Sequence, residues 1–140
     1  MSIGKMITRK PVTVGRGESL AKTAKLMEQE NIGTVVVTVE GRPAGIVTDR
    51  DLALATCVHR ASPDDAIGLV MTSPVSTLRE DEDILDATKQ MMVQSVRRLA
   101  VVDEHERLVG VVSVDDLVPF LSRALQNIAE GIRSSSVGNR

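Results

Sequence analysis

Apolar positions in the first half of the chain follow two spacings in turn. Leu20, Ala24 and Met27 recur at i, i+4 and i+7, the spacing of one helix face. Ser19 stands where an N-cap would, so the pattern predicts a helix from there to about Glu30, with Asn31 and Gly33 as stop residues. Thr34 to Val39 is a β-branched run, Glu40-Gly41-Arg42 a turn, and Ala44 to Thr48 a second strand. Asp49 to about Val58 returns to helix. Ahead of these, Pro11 to Val14 reads as a short extended segment, because proline disfavours helix at the residue before it.

The second half repeats the order. Asp83 is a cap, Ile84 to about Gln94 a helix, Arg98–Val102 and Leu108–Ser113 two strands around a charged turn, and a long helix starts near Val114. Gly45-Ile46-Val47-Thr48-Asp49-Arg50-Asp51-Leu52 aligns with Gly110-Val111-Val112-Ser113-Val114-Asp115-Asp116-Leu117 at an offset of 65. The same offset pairs Leu20 with Leu85, Met27 with Met92, Val36 with Val101 and Val37 with Val102. Upstream, Pro11 and Pro74 align at 63, which places two extra residues near Glu80-Asp81-Glu82. We read a tandem duplication of a unit of about 60 residues. Each unit has too little apolar surface to stand alone, so the pair should share an interface through pseudo-two-fold symmetry. Ala61-Ser62-Pro63-Asp64-Asp65 reads as a linker carrying a helix start, with Ser62 as cap and Pro63 at the first helical position.

The last helix outruns its counterpart. Val114, Leu117, Val118, Leu121, Leu125, Ile128 and Ile132 keep helical spacing, and Pro119 should kink this helix or delay its start. The apolar stripe from Ser122 to Ile132 is more than one small pair can cover, and such a stripe marks an interface, so a homodimer is expected, with burial against the same chain as the alternative. Residues 133–140, rich in Ser and Gly, are expected to be disordered.

Composition narrows the chemistry. In 140 residues, 17 Lys and Arg face 19 Asp and Glu, a net charge of −2, which argues against a general nucleic-acid binder. Phe120 is the single aromatic residue, so no platform exists for stacking bases. Cys57 is the single cysteine, which excludes a disulfide framework, and it reads most simply as a small core residue. As a nucleophile it would need a histidine beside it, and His59 sits at a spacing that points the two side chains apart on a helix. Met27, Met91 and Met92 read as core filling. The run Glu80-Asp81-Glu82-Asp83 complements a helix dipole rather than holding a metal. No apolar run approaches the length of a membrane span and no signal-peptide pattern opens the chain, so a cytoplasmic location is expected.

The doubled Gly-apolar-apolar-Thr/Ser-x-x-Asp-Leu element, each preceded by a Pro-Val segment and a Val-rich strand, resembles a tandem pair of cystathionine β-synthase (CBS) domains, a Bateman module. The resemblance covers roughly residues 6–122. It implies an α/β (α+β) fold of two β-α-β-β-α CBS repeats, at 6–58 and 71–122, joined by a linker at 59–70 and followed by a helical extension at 123–132. It also implies a sensor rather than an enzyme. Such pairs bind an adenosine-containing ligand (AMP, ADP or ATP, or else S-adenosylmethionine or NAD) in clefts between the repeats and signal to an effector protein, often as a homodimer shaped like a flat disc.

Carried over by motif, Asp51 and Asp116 would hold the ribose hydroxyls, and Thr48 and Ser113 would approach the first phosphate. Arg97 and Arg98 resemble the family's basic pair, whose counterpart in the first unit, Ile32-Gly33-Thr34, is uncharged. The backbone at Thr13 and Val14, and at Ser76 and Thr77, would border adenine, packed between aliphatic groups such as Val14, Ile32, Ile46 and Val111. The residues themselves make this chemistry reasonable. A carboxylate can accept both hydrogen bonds of a cis-diol, and a hydroxyl at a helix start lies beside free backbone N–H groups that suit a phosphate. Gly45 and Gly110 would let a ligand or a neighbouring strand approach closely. The same Thr/Ser-x-x-Asp pattern also resembles a capping box, which needs no ligand. A structural or partner-binding pair with empty clefts is therefore the alternative.

Overall fold

The computed structural model describes residues 1–138; positions 139 and 140 lie outside the described residues. Its architecture is mixed α+β, two copies of one motif, each holding a three-stranded sheet with helices packed on it. In the first sheet β1 (Thr13–Val14) runs parallel to β2 (Thr34–Val39), which pairs antiparallel with β3 (Arg42–Thr48). In the second, β4 (Thr77–Arg79), β5 (Arg98–Val102) and β6 (Leu108–Ser113) repeat the arrangement. Val35, Val36 and Val37 of β2 and Leu99 to Val102 of β5 are buried, as the central strand of a covered sheet requires.

The helices end where their capping chemistry ends. Helix α1 (Leu20–Glu30) starts at Ser19, whose Oγ accepts the Lys22 N–H at 3.1 Å, and stops at Asn31 in the left-handed region (φ 52°). Helix α3 (Ile84–Gln94) starts with a reciprocal capping box between Asp83 and Asp86 and stops at Ser95 (φ 54°). The buried face of α1 is Leu20, Thr23 and Met27; Ala24, expected there, is exposed. Thr23 is tolerated because its hydroxyl donates to the Ser19 carbonyl at 2.9 Å. Helix α2 (Asp49–Cys57) buries Leu52 and Ala55 and leaves Cys57 exposed, so the cysteine is not the core residue its composition suggested.

The structural repeat corrects the sequence alignment. Ser19 and Asp83, Leu20 and Ile84, Met27 and Met91 are the equivalent caps and core residues, 64 apart, while Leu85 and Met92 are each 72% exposed. Strand register agrees, since β1 meets β2 at Thr13↔Val36 and β4 meets β5 at Thr77↔Ala100. The single extra residue lies in the turn between β5 and β6, and from there Gly45 and Gly110 resume the offset of 65. In that turn the Asp103 carboxylate accepts the backbone N–H groups of His105 (2.8 Å) and Arg107 (3.0 Å). These bonds, the Arg107 bond foremost, hold its pKa below the ordinary carboxylate range.

The repeats exchange their leading segments. Ile3, in a 3-10 turn at Ile3–Met6, is fully buried in the core of the second repeat with Leu78, Leu99 and Leu117, and Met6 and Ile7 pack against the same cluster. Ile67, in a 3-10 turn at Ile67–Leu69, is fully buried in the core of the first with Leu20, Val35 and Val47. Backbone bonds fix both exchanges: Ile3 N–H to Glu82 C=O at 2.7 Å, and Ile67 N–H to Glu18 C=O at 2.7 Å. The stretch 59–70 is therefore not a mere linker. Ser62 and Pro63 open a turn rather than a helix, with the Ser62 N–H donating to the Asp65 carboxylate at 2.9 Å.

Helix α4 (Val114–Gly138) runs 25 residues without a break at Pro119, and it takes in most of the 133–140 segment expected to be disordered. Ser134, Ser135 and Ser136 fit the helix because each hydroxyl donates to the carbonyl four residues back, at 2.8–3.0 Å.

Candidate functional site: two clefts across the repeat boundary

The exchange of leading segments builds two clefts, each with one wall from each repeat. In the first cleft, Ile46 and Thr48 at the end of β3 face Thr72, Pro74, Val75, Ser76, Val96, Arg97 and Arg98 around a cavity of 250 Å³. In the second, Val111, Val112 and Asp116 face Met6, Ile7, Thr8 and Arg9 around 390 Å³. An adjoining lobe of 350 Å³ is lined by Arg9, Lys10, Pro11, Val12, Glu30, Ile32, Thr34, Val36 and Val111. The lining obeys the pseudo-symmetry, since Val12 and Ser76 stand 64 apart, as do Ile32 and Val96, and Thr34 and Arg98.

Gly45 and Gly110 hold these walls together. A Cβ on Gly45 would lie 2.5 Å from the Met71 sulfur and 3.0 Å from the Thr72 carbonyl, and one on Gly110 would lie 2.4 Å from Ile7 Cγ2. The strand next to each glycine is thus met by the leading segment of the other repeat. For Gly45 the contact is sealed by two backbone bonds between Ile46 and Thr72, at 3.0 and 2.9 Å. Of the two approaches the sequence left open, it is the neighbouring chain segment that needs the missing Cβ.

The Thr/Ser-x-x-Asp elements form caps with spare capacity. At the start of α2, Asp51 Oδ2 accepts the Thr48 N–H at 2.8 Å while Thr48 Oγ1 accepts the Asp51 N–H at 3.2 Å, a complete capping box. At the start of α4, Asp116 Oδ2 accepts both the Ser113 N–H (2.8 Å) and the Ser113 hydroxyl (3.1 Å). The Oδ1 of each aspartate has no protein donor among the described residues. Asp116 is exposed and lines its cleft directly, whereas Asp51 is half-buried and reaches the first cleft only through Thr48.

Of the residues predicted from sequence, Thr48, Ile46, Arg97 and Arg98 meet in the first cleft, and Val111 and Asp116 in the second with Ser113 beside them. Thr13 and Val14 reach neither cleft: Thr13 is exposed on β1 and Val14 packs into the core of the first repeat. The reason is register. Val12 C=O accepts from Val36 N–H as Ser76 C=O accepts from Ala100 N–H, so Val12, not Thr13, is the counterpart of Ser76. A slip of one residue in a strand moves a side chain to the other face. Arg9 and Lys10 give the second cleft the positive charge that Gly33 and Thr34 lack. Among the described residues no three His, Cys, Asp or Glu side chains are placed to hold a metal ion, and no helix is long and apolar enough to cross a membrane.

Two copies of one unit with clefts between them define a CBS domain pair. Residues 3–56 and 65–123 match the CBS domain model, and the chain belongs to that family. It is 31% identical over 116 residues to the CBS domain-containing protein YhcV of Bacillus subtilis, covering 83% of this chain and 82% of that one. Among solved structures it is similar to the CBS domain pair of protein MJ0100 in complex with 5′-methylthioadenosine and S-adenosyl-L-methionine (TM-score 0.77, 26% identity, 89% of this chain and 98% of that one). It is also similar to a CBS domain protein from Pyrobaculum aerophilum complexed with AMP (TM-score 0.76, 25% identity, 84% and 91%).

Proposed function

We propose that the chain is a regulatory module that binds an adenosine-containing ligand, AMP, ADP or ATP first among them, in the clefts between its repeats. The observation that carries this is the second cleft. Asp116, its Oδ1 unengaged, lines this cleft together with Arg9, and the adjoining lobe adds Lys10 and Glu30 beside aliphatic Val12, Ile32 and Val111. The carboxylate suits a ribose diol, the cations a phosphate and the aliphatic groups a base. Bound adenosine compounds in two similar CBS pairs support the same reading. The first cleft offers Thr48 with Arg97 and Arg98, a different arrangement of the same charges. Asp116 lies in the first turn of α4, so occupancy of the second cleft acts on the helix that leaves the body of the protein, a direct route from ligand to effector.

The test is thermal unfolding with AMP, ADP, ATP, S-adenosylmethionine and NAD, followed by calorimetry on Asp116→Ala. A ligand at about 100 times its Kd stabilises the fold by roughly 2.7 kcal/mol. Loss of a charged hydrogen-bond partner should weaken binding by about 1.5–3 kcal/mol, roughly 10- to 100-fold. If no ligand shifts the transition, the clefts are structural; if a ligand binds Asp116→Ala as it binds the parent, Asp116 is a cap and does not hold the ribose.

A further inference from the structure

The two clefts differ in charge. Arg97 and Arg98 stand in the first with Thr48, Thr72 and Ser76, and among the described residues no carboxylate lines it. The second sets Asp116 beside Arg9, and its lobe sets Glu30 beside Lys10. Arg98 is half-buried, yet neither it nor Arg97 has an acidic partner: the ion pairs among the described residues are Arg79 with Asp81 and His105 with Glu104. A partly buried cation without a counter-ion is costly, and an anion seated in the cleft offsets that cost.

We propose that the first cleft is a site for small phosphomonoesters and requires no ribose. A phosphomonoester carries about −1.5 to −2 charges near pH 7. Two guanidinium groups match that charge, and each can hold two oxygens side by side. Thr48 Oγ1 accepts the Asp51 N–H at 3.2 Å and keeps its own hydrogen to donate. Thr72, exposed on the facing wall, offers a second hydroxyl, whereas Ser76 spends its hydrogen on Gln94 Oε1. The start of α2 adds no donor. Its Asp49, Arg50 and Asp51 N–H groups are engaged by Gly33 C=O, Asp49 Oδ1 and Thr48 Oγ1.

The remaining walls set the size and character of the ester. No group in the first cleft does what Asp116 offers a diol in the second, since Asp51 is absent from the lining and its Oδ2 holds the Thr48 N–H at 2.8 Å. The cavity of 250 Å³ falls below the roughly 300–1,000 Å³ of pockets that enclose drug-sized ligands, whereas the second cleft (390 Å³) and its lobe (350 Å³) reach that range. Ile46, Pro74, Val75 and Val96 give a short carbon chain an aliphatic wall. The first cleft therefore reads the phosphate of whatever enters it, a nucleotide included, and leaves the nucleoside to the second. This narrows the adenosine reading at one cleft and does not rest on the other.

The probe is n-butyl phosphate, titrated into the whole chain and followed by backbone NMR. Signals of Thr48, Thr72, Arg97 and Arg98 should shift with a Kd of about 1 mM or below, and n-butanol should move none of them. Arg98→Gln keeps the reach of the side chain without its charge. It should weaken binding at least about 10-fold and melt no lower than the parent, because an unpaired cation is removed. Arg97→Gln, at an exposed position, should weaken binding as well. At these four residues AMP and its 2′,3′-dideoxy analogue should bind alike. The adenosine reading is scored apart, by AMP shifts at Val111 and Asp116. Absence of shifts at about 10 mM ester, parental binding in both Gln variants, or AMP outbinding the dideoxy analogue more than about 10-fold at the first cleft would each overturn the proposal.

Discussion

Gly110→Ala tests the packing on which both clefts depend. The added methyl would sit 2.4 Å from Ile7 Cγ2 and 2.6 Å from Cδ1. Ile7 cannot swing aside freely, because it is β-branched and its segment is held by the Ile3 and Gly4 N–H bonds to Glu82 and Glu80, at 2.7 and 2.9 Å. Overpacking of this kind costs about 1–3 kcal/mol. Gly110 has no left-handed φ, so alanine adds no backbone strain there and returns about 0.4–1 kcal/mol by restricting the unfolded chain. The net is a loss of about 1–2 kcal/mol, or roughly 3–8 °C in Tm for a chain of this length. Urea unfolding of the parent, Gly110→Ala, Ile7→Ala and the double variant closes a cycle. With Ile7 cut to alanine the clash is gone, so Gly110→Ala should then stabilise by about 0.4–1 kcal/mol, a coupling of about 1–3 kcal/mol. Additive effects, or a Gly110→Ala protein as stable as its parent, would refute the exchange of segments as the reason for this glycine.

The same exchange makes Ile67→Ala a core mutation rather than a linker one. Its side chain is fully buried, and the change should lower stability by about 2–5 kcal/mol in urea unfolding, where a linker position would show almost none. The cations should separate the clefts. If both clefts fill, Arg97→Ala with Arg98→Ala should remove one of two calorimetric binding events, and Arg9→Ala with Lys10→Ala the other; loss of both by either pair would mean a single shared site.

Periodicity exposed the repeat and its elements, because α1, α3 and the paired strands each bury one continuous face. Ile84–Gln94, Arg98–Val102 and Leu108–Ser113 occupy the ranges that pattern predicts. The leading segments were hidden for the opposite reason. Ile3 and Ile67 are the single buried residues of Gly-containing 3-10 turns, too short to show a period. Their one signal is the Ile-Gly dipeptide at 3–4 that recurs at 67–68. Aligning Pro11 with Pro74 missed it and displaced the expected adenine-bordering residues from Val12 to Thr13. The tail erred on composition, since serine looks like disorder until its hydroxyl closes on the backbone of its own helix.

The one-residue correction also explains why the clefts differ. At an offset of 64, Arg9 and Lys10 stand opposite Ser73 and Pro74, while Arg97 and Arg98 stand opposite Gly33 and Thr34. Each repeat therefore carries its cations on a different element, the leading segment in the first and the start of the central strand in the second. Because the leading segments cross over, each Thr/Ser-x-x-Asp element meets cations in its cleft: Arg97 and Arg98 share a cavity with Thr48, and Arg9 shares one with Asp116, with Lys10 in the adjoining lobe. Had the segments stayed with their own repeats, the first would hold both Arg9 and Lys10 beside its own sheet and the boundary would offer no two-sided pocket. Crossover places one charged pair in each cleft but on unlike elements, and two unlike sites in one chain can answer to two ligands or to two concentrations of one.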